Sequence, residues 1–185
     1  MESHFYRLKI WHFPGRPGPF YDGLGLIAPI FGHDQTCIEM TAISTDEVLR
    51  KILKRDCVIA VVGLSDKRYR PSYEAAAYMQ QNGNRIVPLN SLLAATTVRG
   101  EPVHASLADA RAALAAQGVE IGMVGVFRKS ADLPPVADAA IKIAARSVWL
   151  QLGVVHGADA GKARAAGLDF VADRCVKIEH RRLFA

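Results

Sequence analysis

An α/β fold, a doubly wound parallel sheet with helices on both faces, is what this chain predicts, and two observations carry that reading. From Arg55 onward, short apolar runs alternate with helical stretches at the interval expected of βαβ units. The apolar runs are also continuous rather than alternating, which suits strands covered on both sides. Cys57-Val58-Ile59-Ala60-Val61-Val62 is the clearest of them. Right-handed crossovers fold such units into one sheet of about five strands.

Residues 1–39 stand apart from this pattern. Prolines and glycines cluster at Pro14-Gly15-Arg16-Pro17-Gly18-Pro19 and at Gly23 and Gly25, with aromatics scattered between. No helical or strand period is sustained there, so an irregular or disordered extension is expected over 1–39 and the folded domain over 40–185. Met40 follows directly, which fits a natural start at that residue and an overextended reading frame before it. A genuine extension docking through Trp11 is the alternative.

The domain itself opens with Ser44-Thr45-Asp46-Glu47. This reads as a capping box, Ser44 as N-cap and Glu47 at N3, for a helix through Lys54. Strand one follows at Cys57–Val62. A helix is expected from Ser72 to Gln81, stopped by Asn82-Gly83. Strand two covers Arg85–Leu89, and a loop with Gly100 and Pro102 follows. Ser106 and Asp109 form a second capping box for a helix to Ala116. Strand three is expected over Val119–Phe127. Ser130 is expected to cap a helix through Ala145, with Pro134 and Pro135 tolerated near its first turn. Strand four is placed at Ser147–Leu152, a short helix at Ala158–Ala166 ended by Gly167, and strand five at Asp169–Ala172.

The turn after strand one carries the most chemistry. The run breaks at Gly63, then come Lys67, Arg68 and Arg70, and Pro71 stands where a helix begins, with fixed φ and no N–H to lose. A strand, a basic turn and a helix N-terminus at one spot make an anion site, with phosphate its usual occupant. An ordinary turn with solvated basic residues has the same spacing. A dinucleotide fingerprint needs three glycines, but Ser65 and Arg68 occupy the second and third places. The second strand, ending at Asn90, also lacks the acid that would hold a ribose diol. NAD is therefore disfavoured, and a more highly phosphorylated ligand suits the cations. In such sheets the ligand lies beyond the strands' carboxyl ends. There Ser65, Arg70, Arg128 and Arg174 are expected to converge, with Gln151-Leu152-Gly153 and Cys175 along the same edge.

Composition narrows the partners. The chain has 185 residues, half of them apolar, and a net charge of +5, which suits a globular domain with a full core and an anionic ligand. Its basic residues are scattered and no nucleic-acid motif appears, so nucleic acid is not an expected partner. No apolar run spans a bilayer and no clear signal peptide is seen, so no membrane role is expected. Three cysteines, Cys37, Cys57 and Cys175, lack metal-ligand spacing and point to a reduced, cytoplasmic setting.

Six stretches together carry a family pattern. These are Val61-Val62-Gly63-Leu64-Ser65 with Arg70-Pro71-Ser72-Tyr73; Val87-Pro88-Leu89-Asn90; and, in the second half, Val126-Phe127-Arg128-Lys129-Ser130, Val148-Trp149-Leu150-Gln151-Leu152-Gly153 and Asp173-Arg174-Cys175-Val176-Lys177-Ile178-Glu179-His180. From about residue 41 onward the chain resembles the small stand-alone CoA-binding proteins, which are similar to the CoA-binding domain of the succinyl-CoA synthetase alpha subunit. The resemblance implies a Rossmann-like fold that holds coenzyme A. It places phosphate at Gly63, Ser65, Arg70 and Ser72, the adenosine side at Pro88 and Asn90, and the third loop at Phe127 and Arg128. The chain departs from the family at Ser91, where Pro is frequent, at Gly122 and Gly125, where acids are usual, and at His156, where Asn or Asp is common.

Other conspicuous residues read more simply as structural. Cys57 opens a core strand, Trp149 sits in strand four and Asp66 forms a turn. His156 reads as a residue at the start of a helix, and Glu179-His180 as surface. The expected function is thus non-catalytic binding of CoA or an acyl-CoA. The alternatives are a small NAD(P)- or acyl-CoA-using enzyme or redox sensor with Cys175 or His156 reactive, and a partner subunit that has lost its ligand. A chain starting at Met40 should keep both its melting temperature and its ligand response; a loss of several degrees on truncation would show that residues 1–39 pack on the domain.

Overall fold

A computed structural model describes residues 45–184; the expectations for residues 1–39 and for Ser44 lie outside them. Seven strands and six helices follow in the order α1 Asp46–Arg55, β1 Val58–Val62, α2 Pro71–Gln81, β2 Arg85–Leu89, β3 Thr97–Val98, β4 Glu101–Pro102, α3 Leu107–Ala115, β5 Met123–Val126, α4 Leu133–Lys142, β6 Ser147–Leu150, α5 Gly157–Ala165, β7 Asp169–Val171 and α6 Val176–Phe184. Five strands form one parallel sheet in the order β2-β1-β5-β6-β7, a Rossmann-like arrangement. Strand order reverses between β1 and β5, so the crevice expected at a switch point opens beyond Val62 and Val126.

Side chains alternate across each strand, and the two sets meet different helices. Ala60, Val87, Val124, Val148 and Phe170 pack with Leu107, Leu114, Leu133, Ala140 and Ala163, covering one face with α3, α4 and α5. Ile59, Val61, Ile86, Met123, Trp149 and Val171 pack with Leu49, Ile52, Met79 and Leu183, covering the other with α1, α2 and α6. The expected helices on both faces are present.

Some boundaries differ from the sequence reading. The cap of α1 is Thr45, whose hydroxyl accepts the Val48 N–H at 3.4 Å. Ser106 caps α3 as expected, accepting the Asp109 N–H at 3.2 Å. Ser130 does not cap α4. It begins a 3-10 turn over Ser130–Asp132, and its hydroxyl accepts the Val155 N–H at 3.2 Å, tying the β5 loop to the β6 loop. The loop with Gly100 and Pro102 holds the small antiparallel β3–β4 pair, and the last described element is α6, which strand-and-cap patterns did not announce.

At the edge opposite the crevice, Asp56 is 1% exposed and fully engaged. It accepts two bonds from Arg55 at 2.8 Å and one from the Ser147 hydroxyl at 2.6 Å. Arg55 also reaches Asp169 at 2.9 Å, and the two carboxylates push its already high pKa further up. A Cβ on Gly122 would lie 2.9 Å from the Asp56 Cα, whereas one on Gly125 would find only ordinary contacts, 3.7 Å from Ile59. Gly122→Ala is expected to destabilise the domain by about 1–3 kcal/mol through overpacking. Gly125→Ala should be neutral or slightly stabilising, since it removes backbone entropy from the unfolded chain. Urea denaturation of both variants checks this; equal losses would show that the Asp56 contact is not what Gly122 serves.

Candidate functional site

The turn after β1 is shaped by one glycine. Gly63 takes φ +84°, a left-handed conformation that side chains resist. Its N–H donates to the Leu89 carbonyl at 2.9 Å, so the chain leaves β1 while still held to the end of β2. A Cβ there would lie 2.9 Å from the Phe127 carbonyl oxygen and 3.1 Å from Arg128 Nε. Absence of that atom is what lets the β5 loop lie against the β1 turn.

The rest of the turn is held by side chains. Ser72, 6% exposed in the first turn of α2, accepts the Ser65 N–H at 3.2 Å, and the Ser65 hydroxyl accepts the Lys67 N–H at 3.2 Å. Asn90 Nδ2 donates to the Leu64 carbonyl at 2.9 Å while Asn90 Oδ1 accepts the Leu92 N–H at 3.1 Å. The loops after β1 and β2 are thereby fixed to one another. Ser65 and Ser72 keep hydroxyl protons that a phosphate oxygen can accept.

Two cavities open at this edge. A cleft of about 730 Å³ is walled by Gly63, Ser65, Arg70 and Ser72 on the β1 side and by Phe127 and Arg128 in the middle. Gln151, Leu152, Val154, Cys175, Lys177 and Ile178 wall its far side. A smaller cavity of about 170 Å³ lies between the ends of β2 and β5, against Asn90, Ser106 and Pro135. Arg128 borders both. It is exposed at the switch point, and a guanidinium there can form charge-assisted bonds to an anion.

Seven of the eight residues singled out from the sequence line one cavity or both. Pro88 does not: it is buried inside β2, in register with Val61. Arg174 also departs from the expected convergence. It donates to Glu179 at 3.1 Å, and its carbonyl accepts the Trp149 indole N–H at 2.6 Å. Glu179 is not a surface residue; it is 8% exposed, between Arg174 and Arg182. His156 begins α5, with Nδ1 3.0 Å from Asp159. The sequence reading missed Glu74, Lys177 and Ile178. Glu74 and Lys177 form a 3.4 Å ion pair linking α2 to α6. The i, i+3, i+7 spacing of Val176, Glu179 and Leu183 was the available signal for α6, obscured because its central member is charged.

A parallel sheet whose switch point opens on a glycine-shaped basic turn and a long cleft defines a Rossmann-like binding domain. The chain belongs to the CoA binding domain family, which matches residues 58–181. It is 32% identical over 132 residues to the uncharacterized protein YneT of Bacillus subtilis, across 71% of this chain and 91% of YneT. A solved structure from Thermus thermophilus is 30% identical with a TM-score of 0.67, covering 76% of this chain and 99% of that one. A hypothetical protein from Pyrococcus horikoshii is 32% identical with a TM-score of 0.69, covering 80% and 96%. Among the described residues, no helix is long and apolar enough to cross a membrane, and no group of three or more His, Cys, Asp and Glu is placed to hold a metal.

Gly63→Ala should lower stability by about 2–4 kcal/mol, from the left-handed backbone and the Phe127 contact together. It should also displace Arg128. Thermal melting and a crystal structure of the variant check both; an unshifted melting temperature would show that the β5 loop yields without cost.

Proposed function

We propose that this protein binds coenzyme A or an acyl-CoA without transforming it. The observation that carries the reading is the meeting of Gly63, Ser65, Ser72, Arg70 and Arg128 at the mouth of one cleft, over the N-terminus of the eleven-residue helix α2. Backbone dipole, hydroxyl donors and two guanidinium groups then border one cleft, which suits a pyrophosphate. The smaller cavity between β2 and β5, with Asn90 at its edge, takes the adenosine side. The larger cleft takes the pantetheine arm, its walls being partly apolar at Leu152, Val154 and Ile178. Membership of the CoA binding domain family supports the choice of ligand. The missing second and third glycines argue against NAD.

Two pairs of ionisable groups stand at the cleft, Glu74 with Lys177 and Arg174 with Glu179. That pairing supports binding over general acid–base chemistry. A thermal-shift panel of CoA, acetyl-CoA, NAD and NADP tests the reading: the first two should raise the melting temperature and the others should not. Arg70→Ala and Arg128→Ala should each weaken CoA binding by about 1.5–3 kcal/mol in calorimetry, with the fold intact because both side chains are exposed. If Arg70 reads the 3′-phosphate, its variant should lose most of the preference for CoA over dephospho-CoA. Failure of the wild type to bind CoA would overturn the proposal and leave a partner subunit without ligand.

A further inference from the structure

The far end of the cleft has a feature that phosphate binding does not use. Gln151, immediately after β6, is 6% exposed and lines the cleft. Its Oε1 accepts the Val176 N–H at 3.1 Å, which orients the amide at the start of α6. Its Nε2 is buried without a hydrogen-bond partner. A buried donor without a partner is destabilising, so an acceptor supplied by a ligand is the natural complement. Beside it in the same lining is Cys175, whose carbonyl accepts the Glu179 N–H at 3.0 Å and which therefore stands at the N-terminal end of α6. Cys57, by contrast, is exposed at the opposite sheet edge, its thiol 3.4 Å from the Lys54 carbonyl.

Length connects the two ends. From β1 to β7 the sheet takes three steps, through β5 and β6. At ~4.8 Å per step that is about 14 Å. An arm of two amide units with their linking methylenes reaches about as far as four extended residues, also roughly 14 Å. The span from Gly63 to Cys175 thus matches the length of such an arm, and Gln151 lines the same cleft beside Cys175.

We propose that Cys175 is a covalent anchoring site for the thiol end of the pantetheine arm, formed by thiol–disulfide exchange, with Gln151 Nε2 donating to an arm carbonyl to set its approach. This rests on the CoA reading above. The co-reactant is the symmetric disulfide of coenzyme A. The Cys175 thiolate attacks one of its sulfurs, the protein–ligand S–S bond forms, the ligand S–S bond breaks, and the departing CoA thiolate takes up a proton. The protein thiol is oxidised and one CoA is released reduced. Exchange of this kind needs only the thiolate and an accessible disulfide.

The full chain is incubated with CoA disulfide and, separately, with glutathione disulfide, and the adduct is mapped by peptide mass spectrometry. The expected result is a CoA adduct on Cys175, formed at least tenfold faster than the glutathione adduct and slowed by excess acetyl-CoA, which fills the cleft but has no free sulfur to exchange. Cys57→Ser should retain this labelling and Cys175→Ser should lose it. Gln151→Leu should slow modification by CoA disulfide severalfold while leaving the rate with hydroxyethyl disulfide, which has no arm carbonyl, unchanged. Labelling at Cys57 or Cys37 instead, equal rates with glutathione disulfide, or no protection by acetyl-CoA would overturn the assignment. Calorimetry of the wild type with reduced CoA separates the two readings. Binding without a Cys175 adduct sinks only the anchoring site, while absence of binding sinks both.

Discussion

The functional edge of this domain depends on a close approach between two loops that only a residue without a Cβ permits. Gly63 ends β1 in a left-handed turn, keeps its N–H on the Leu89 carbonyl, and leaves room for the Phe127 carbonyl and the Arg128 side chain. Those contacts join β2, β1 and β5 at the point where strand order reverses. A side chain at residue 63 would push the β5 loop outward and separate Arg128 from the serines of the β1 turn. The cleft is a consequence of that approach. Ser72 and Asn90 then hold the loops in the shape that Gly63 makes possible.

The other edge of the sheet is organised by a different constraint, a buried carboxylate. Asp56 takes three hydrogen bonds from Arg55 and Ser147, and Arg55 goes on to Asp169. The end of α1 is thereby tied to β6 and β7, the strands that carry the far wall of the cleft. Removing one partner from such a pair leaves charge unpaired in the interior, which costs more than the pair contributes. The two edges divide the work: ion pairing fixes the frame below, and backbone shape with exposed cations forms the site above.

How much of this was legible in the sequence follows from which signals were local. The unbroken run 57–62, the Pro71 start and the Asn82-Gly83 stop placed β1 and α2 to within a residue, because each rests on the backbone preferences of its own residues. The Ser106 cap was legible for the same reason. Ser130 was misread because a serine hydroxyl can cap a helix or bridge to a distant N–H, and only tertiary structure brings Val155 to it. α6 was hidden because Glu179 sits in its buried stripe, where charge is tolerated only between Arg174 and Arg182. The site divided similarly: strand-end residues were named by position, whereas Lys177 and Ile178 needed the helix that was not seen, and Glu74 on α2 needed its partner there. The tie of Arg174 to Glu179 removed a cation that strand position alone had assigned to the ligand.

These placements are the grounds on which binding, rather than turnover, is proposed. A catalytic group needs a pKa matched to its task and a free approach to the reacting atom. Here the carboxylate in the cleft, Glu74, faces Lys177 and is already committed to a partner within the protein. The cations left facing the crevice, Arg70 and Arg128, are groups that hold phosphate and do not move protons at neutral pH. On the proposed reading, the chemistry at the β1 side of the cleft is that of retention, charge-assisted bonds to an anion over a helix N-terminus. At its far end stand an amide with one hand free and a thiol, groups suited to receiving the end of a long ligand. A long arm threaded between them as proposed would be held at both ends, and its release would require both sets of contacts to part together.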